Sequence, residues 1–102
     1  MRLEGIIAAI PTSFHTDESL NLDALESNLK RWNDTSLAGY TVLGTTGEFV
    51  SLTLEEKKDV LSRAREAASP EKVFLAGTGA ESTHETLTLT RWVGTLGADY
   101  AI

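Results

Sequence analysis

Four short apolar runs divide the chain: Ile6 to Ile10, Tyr40 to Leu43, Val73 to Ala76, and Tyr100 to Ile102. They are rich in β-branched and aromatic residues, and most do not alternate strictly with polar ones. That is the pattern of strands buried on both faces of a parallel sheet. Between the runs, apolar positions recur at helical spacing. Leu22, Leu25, Leu29 and Trp32 stand at offsets 0, 3, 7 and 10, with Asn21 or Asp23 near the start. Thr53-Leu54-Glu55-Glu56 opens a second helix with a capping box, in which Thr53 and Glu56 satisfy each other's backbone donors. This helix continues through Val60, Leu61, Ala64 and Ala68 and ends at Ser69-Pro70. Ser82-Thr83-His84-Glu85 opens a third in the same way. Its stripe is Leu89, Trp92, Val93 and Leu96, and Gly97 stops it.

The predicted order is β-α-β-α-β-α-β. Strand starts near residues 6, 40, 73 and 99 give spacings of 34, 33 and 26, a rhythm of consecutive βα units with right-handed crossovers. The fold class is α/β, either an open doubly wound sheet or part of a closed barrel. No helix follows the fourth strand, which favours the barrel. A (β/α)₈ TIM barrel takes about 250 residues. Residues 1–102 are therefore expected to be the N-terminal part of a single barrel domain: three and a half units, truncated in strand four.

Composition then removes several function classes. With no cysteine there is no disulfide framework, thiolate metal site or cysteine nucleophile. His15 and His84 are the only histidines, so an imidazole metal site is poorly supported. A net charge of −6, without any basic run, argues against nucleic acid, whose phosphates demand clustered Lys and Arg. The first apolar run stops at Pro11, short of a signal peptide's apolar region or the ~20 residues of a membrane span. A cytoplasmic protein without a membrane partner is expected.

Ligands of α/β folds sit beyond the C-terminal ends of the strands. Three segments occupy that edge: Pro11-Thr12-Ser13-Phe14, Gly44-Thr45-Thr46-Gly47-Glu48-Phe49, and Gly77-Thr78-Gly79-Ala80. In the second, two glycines allow close backbone approach around two hydroxyls and the N–H groups of a turn. Such a pocket suits a small carboxylate, which wants several neutral donors and no bulky side chain. Gly77 and Gly79 lack the third glycine of a dinucleotide motif, because Ser82 stands there, and Gly47 is followed by Glu48 rather than the lysine of a P-loop. A structural reading stands beside each of these. The glycines turn the chain tightly, Thr45 and Thr46 are loop hydroxyls, and Glu48 anchors its loop rather than acting as a base. His84 lies on a solvated helix turn and His15 in a polar loop, while Tyr100 belongs to the core. Lys30-Arg31 and Lys57-Lys58 read as helix-face pairs.

Taken together, these segments resemble the dihydrodipicolinate synthase/N-acetylneuraminate lyase family. The resemblance rests on Gly44-Thr45-Thr46-Gly47-Glu48 with Leu52-Thr53 and Glu56, and on Gly5-Ile6-Ile7-Ala8-Ala9 with Thr12. It extends to Ala76-Gly77-Thr78-Gly79-Ala80 and Gly97-Ala98-Asp99, so it covers the whole chain. It implies a homotetrameric class I aldolase in which pyruvate, or a related 2-keto acid, forms a Schiff base with a lysine. No further cofactor is expected. By resemblance Thr45 is catalytic, in a proton relay with two tyrosines. Thr46 and Gly47 bind substrate, with Thr46 holding the carboxylate through its hydroxyl and backbone N–H.

The family's lysine and tyrosines belong to later strands and loops. Lys30, Lys57 and Lys58 are placed on helix faces and Lys72 ahead of a strand, so the chain alone is expected to be inactive. Phe49 replaces the Ser or Ala common in the synthase branch. Gly47-Glu48-Phe49 and Gly79-Ala80-Glu81-Ser82-Thr83 resemble 4-hydroxy-2-oxoglutarate aldolases, which tend to carry Ser-Asn where Thr45-Thr46 stands. A barrel paralogue that binds carboxylate without catalysis, and a self-contained small α/β domain that binds an anion at Gly44 to Gly47, are the alternatives from other classes.

Overall fold

The structure is a computed structural model that describes residues 5–17, 19–44, 52–79 and 82–102. Its elements follow the predicted order: β1 (Ile7–Ala9), α1 (Leu22–Trp32), β2 (Gly39–Val42), α2 (Leu54–Ala67), β3 (Val73–Ala76), α3 (Thr83–Leu96) and β4 (Tyr100–Ala101). The four strands are parallel and lie in sequence order, β1-β2-β3-β4. Consecutive order is what a barrel unrolls to. A doubly wound sheet reverses direction at its switch point.

The helix ends obey their caps. Asn21 precedes α1 and its side chain accepts from the Ala24 N–H at 3.0 Å. Thr53 and Glu56 form the complete capping box, at 3.1 Å from the Glu56 N–H to the Thr53 hydroxyl and 3.0 Å from the Thr53 N–H to the Glu56 carboxylate. At α3 only half of the expected box forms: Ser82 accepts from the Glu85 N–H at 3.1 Å, and Glu85 makes no bond back to Ser82. Gly97 ends α3 in the left-handed region, at φ 92°, a conformation that costs glycine nothing. Replacing Thr53 with alanine removes one bond of the box and leaves the Glu56 N–H to water. A loss of about 1 kcal/mol is expected from a denaturant titration.

The core lies between the sheet and one layer of helices, α1 against α2 and α2 against α3. Tyr40, Val42, Phe74 and Ala76 face that layer and are almost fully buried, against Leu25, Leu29, Val60, Leu61, Ala64, Leu89 and Val93. The opposite face carries one row in register across all four strands: Ala9, Thr41, Leu75 and Tyr100. This row is only partly covered, and Ala9 is exposed. Tyr100, expected in the core, is half-buried because it stands on this side of the sheet. Parallel sheets are normally covered on both faces, so this row is a surface made to be packed against.

Two polar clamps tie the N-terminal edge. The Asn33 amide donates to the Ala67 carbonyl at 2.8 Å, and its oxygen accepts the Tyr40 hydroxyl at 2.9 Å and the Ser69 N–H at 3.0 Å. Burial, reinforced by the nearby charge of Asp34, raises the Tyr40 hydroxyl pKa above its ordinary value. The Lys72 ammonium donates to the carbonyls of Thr35 and Leu37, at 2.8 and 2.6 Å. At the start of β4 the Asp99 carboxylate accepts the Phe74 N–H at 2.9 Å while its own N–H donates to the Phe74 carbonyl at 2.9 Å. A side chain thereby extends the strand ladder by one bond, a use for the Gly97-Ala98-Asp99 segment that the sequence did not reveal.

Candidate active-site edge

The C-terminal edge is built from the ends of β1, β2 and β3. After β1, the buried Ile10 donates its N–H to the Thr41 carbonyl at 3.1 Å and aligns the first loop with β2. A Phe14–Leu20 bridge and an Asn21 N–H bond to the Ser13 carbonyl at 2.9 Å close that loop onto α1. Asp17 accepts the Ser19 hydroxyl and N–H, at 2.6 and 3.0 Å, and these bonds hold its pKa below the ordinary carboxylate value. His15 and His84 are both exposed.

At the end of β2 the backbone changes hand. Leu43, fully buried, adopts φ 63°, the left-handed region that β-strand residues avoid. The turn is wedged by β3's continuation: the Gly77 N–H donates to the Val42 carbonyl at 2.7 Å. A Cβ at position 77 would lie 2.1 Å from the Leu43 carbonyl oxygen. Gly77 is therefore required by contact between backbones, and the strained Leu43 turn launches the Gly44-Thr45-Thr46-Gly47 segment from a fixed point. Strain of this kind costs of order 1–3 kcal/mol and clusters at functional sites.

The third loop is fixed by hydroxyls. Thr78, 4% exposed, bonds through both its N–H and its hydroxyl to the Ile102 carbonyl, at 2.9 and 3.2 Å. The Thr90 hydroxyl of α3 lies 2.9 Å from the Thr78 hydroxyl and 2.7 Å from the Thr86 carbonyl. Thr78 belongs to the third edge segment of the sequence, Gly77-Thr78-Gly79-Ala80, whereas its partner Thr90 carries no sequence signal beyond helical spacing.

Thr45, Thr46 and Gly47, with Glu48 and Phe49, lie outside the described residues, as do Ala80 and Glu81. One charged residue was misplaced by the sequence reading. Lys57, expected on a solvated helix face, is 5% exposed, and its ammonium donates to the Gly79 carbonyl at 3.1 Å. It stands three, four and seven positions before Val60, Leu61 and Ala64, on the same buried face. Lys58 does meet the surface, its ammonium 5.7 Å from the Trp92 ring centre. Among the described residues no three His, Cys, Asp or Glu gather as a metal site, and no helix is long and apolar enough to cross a membrane.

Known proteins share this arrangement. A 4-hydroxy-tetrahydrodipicolinate synthase of Xanthomonas campestris is 41% identical over 103 residues, covering all of this chain and 34% of that protein. The structure of Proteus mirabilis N-acetylneuraminate lyase superposes with a TM-score of 0.93 at 36% identity, over 99% of this chain and 34% of that one. YagE of E. coli K12, a member of the dihydrodipicolinic acid synthase family solved in complex with pyruvate, superposes at 0.88 with 29% identity, over 95% of this chain and 33% of its own. The chain spans about a third of the length of the curated relatives it matches, and its βα units match the N-terminal part of their barrels. The profile of the Dihydrodipicolinate synthetase family matches residues 2–102, and the chain belongs to that family of class I aldolases and lyases.

Proposed function

We propose that residues 1–102 form the first three and a half units of a (β/α)₈ barrel that binds pyruvate or a related 2-keto acid and acts on it as a Schiff-base-forming aldolase or lyase. The observation that carries this reading is the strained, glycine-wedged turn at Leu43. It starts a Gly-Thr-Thr-Gly segment at the carboxyl edge of a sheet whose family includes a pyruvate-bound member. In this reading Thr46 and the Gly47 backbone receive the substrate carboxylate through neutral donors, and Thr45 passes a proton to and from the reacting carbons. A lysine from a later strand condenses with the keto group, releasing water. The protonated imine then withdraws electrons, so that the adjacent methyl loses a proton and attacks an aldehyde. The open row of Ala9, Thr41, Leu75 and Tyr100 becomes the barrel interior.

The lysines present here are occupied elsewhere, which supports an amine supplied by later sequence. Lys30 pairs with Glu26 at 3.2 Å, Lys58 faces Trp92, and Lys72 is bonded at the opposite edge. Lys57 is turned to Gly79. Treating the full-length protein with pyruvate and borohydride should add one reduced pyruvyl group. Peptide mapping should locate it on a lysine outside residues 1–102. If no adduct forms, the aldolase chemistry is wrong. Dihydrodipicolinate synthesis and 4-hydroxy-2-oxoglutarate cleavage are separated by the aldehyde that restores turnover: aspartate semialdehyde for the first, glyoxylate for the second. The assembly is expected to be a homo-oligomer, which sedimentation of the same protein would measure.

A further inference from the structure

We infer that Thr78 is a positioning residue of the carboxyl edge: its one hydroxyl proton is shared between the end of β4 and helix α3, and Thr90 decides how much of it β4 receives. The consequence for catalysis rests on the keto-acid reading above; the proton sharing does not. Thr78 is buried and lies on a stretch that serves two strands at once. Gly77 donates its N–H to the Val42 carbonyl of β2 at 2.7 Å, and Thr78, next in the chain, donates its own to the Ile102 carbonyl at 2.9 Å. Ile102 directly follows β4 and returns its N–H to the Ala76 carbonyl of β3 at 3.0 Å. Both backbone groups of Ile102 are therefore held from the β3 side. Ligands of a (β/α)₈ barrel sit beyond these strand ends, so whatever fixes Ile102 fixes the point from which the chain leaves β4 at the substrate edge.

The hydroxyls here have fewer protons than contacts. The Thr78 oxygen lies 3.2 Å from the Ile102 carbonyl and 2.9 Å from the Thr90 oxygen, which in turn lies 2.7 Å from the Thr86 carbonyl. Each threonine hydroxyl carries one proton, so two protons serve these three contacts. Two hydroxyl oxygens 2.9 Å apart need a proton between them. The middle contact is therefore always filled, and the outer two compete. In one arrangement Thr90 donates to Thr78, and Thr78 donates to Ile102. In the other Thr90 donates to Thr86 and Thr78 donates to Thr90, which leaves the Ile102 carbonyl with the Thr78 N–H alone. The Thr86 contact is the shorter of the outer two, 2.7 against 3.2 Å, so α3 draws the proton away from β4.

The test uses the full-length protein and three variants, Thr78→Val, Thr78→Ser and Thr90→Val. Valine keeps the shape of threonine and removes the hydroxyl, and neither valine variant strands a donor. In Thr78→Val the Ile102 carbonyl loses its second donor, while the Thr90 proton still has the Thr86 carbonyl. In Thr90→Val the Thr78 hydroxyl keeps the Ile102 carbonyl as its one acceptor. Hydrogen exchange at the Ile102 amide should therefore move in opposite directions, about fivefold faster in Thr78→Val and slower in Thr90→Val. The rate of the borohydride-trapped pyruvate adduct, measured where every variant is folded, should fall about fivefold in Thr78→Val, the effect of one neutral hydrogen bond. Thr78→Ser should restore it. A merely structural pair would lower the melting temperature and quicken exchange in both valine variants. Exchange that moves the same way in both, or is unmoved in either, overturns the proton sharing. An adduct rate within twofold of the wild type in Thr78→Val overturns the positioning role, as does a serine that restores nothing. A wild type that forms no adduct removes the aldolase reading, and the exchange result then upholds or overturns the sharing by itself.

Discussion

Replacing Gly77 with alanine should cost at least about 4 kcal/mol and leave little folded protein. A Cβ there would lie 2.1 Å from the Leu43 carbonyl oxygen, 2.6 Å from the Leu43 carbonyl carbon and 3.1 Å from the Val42 carbonyl oxygen. All three are backbone atoms, so no side-chain rotation relieves the contact. Leu43 cannot retreat easily either, because it is fully buried and already holds a left-handed φ of 63°. Separating the strands to make room would break the Gly77 N–H bond to the Val42 carbonyl. The control is Gly94→Ala in α3, where an added Cβ meets nothing within 4 Å. It should be neutral or gain up to about 1 kcal/mol from helix propensity. Equal unfolding midpoints for the two variants would disprove the close approach.

The second large effect belongs to the opposite edge. Asn33→Ala should destabilise by about 3 kcal/mol, because one side chain satisfies three groups, in α2, in β2 and in the turn after α2. The Ala67 carbonyl at the end of α2, the Tyr40 hydroxyl of β2 and the Ser69 N–H all lose their partner together. Tyr40→Phe removes one bond of the three and keeps the buried ring, so it should cost only about 1 kcal/mol. Guanidinium titration of the two variants measures the difference. A loss for Asn33→Ala no greater than that for Tyr40→Phe would mean that water replaces the amide and that the clamp is incidental.

These two residues also mark how far sequence reading reaches. The strands and helices were legible because each announces itself locally. Leu22, Leu25, Leu29 and Trp32 repeat at the helical period, Thr53 and Glu56 sit three apart, and the bulky runs at Tyr40 and Val73 have no room for a helix. Asn33 was not legible, since its partners lie 34, 36 and 7 residues away and no local pattern joins them. Gly77 was seen as a permissive residue, but its reason, contact with Leu43, appears only when β2 and β3 pair. Lys57 was legible by register and lost by residue type: its spacing from Val60, Leu61 and Ala64 placed it inside, and its charge suggested otherwise. Thr45, Thr46 and Gly47 lie outside the described residues, so their roles stay with the resemblance that suggested them.

The two edges of this sheet are locked by different means. At the N-terminal edge, amide and ammonium groups lock chain to chain through Asn33 and Lys72. At the other edge the chain leaves the strands on a glycine wedge, a threonine pair and the buried Lys57. Substitutions in the Gly-Thr-Thr-Gly segment leave the locks at Asn33 and Lys72 untouched. That latitude is a physical reason for one family to include both synthases and lyases.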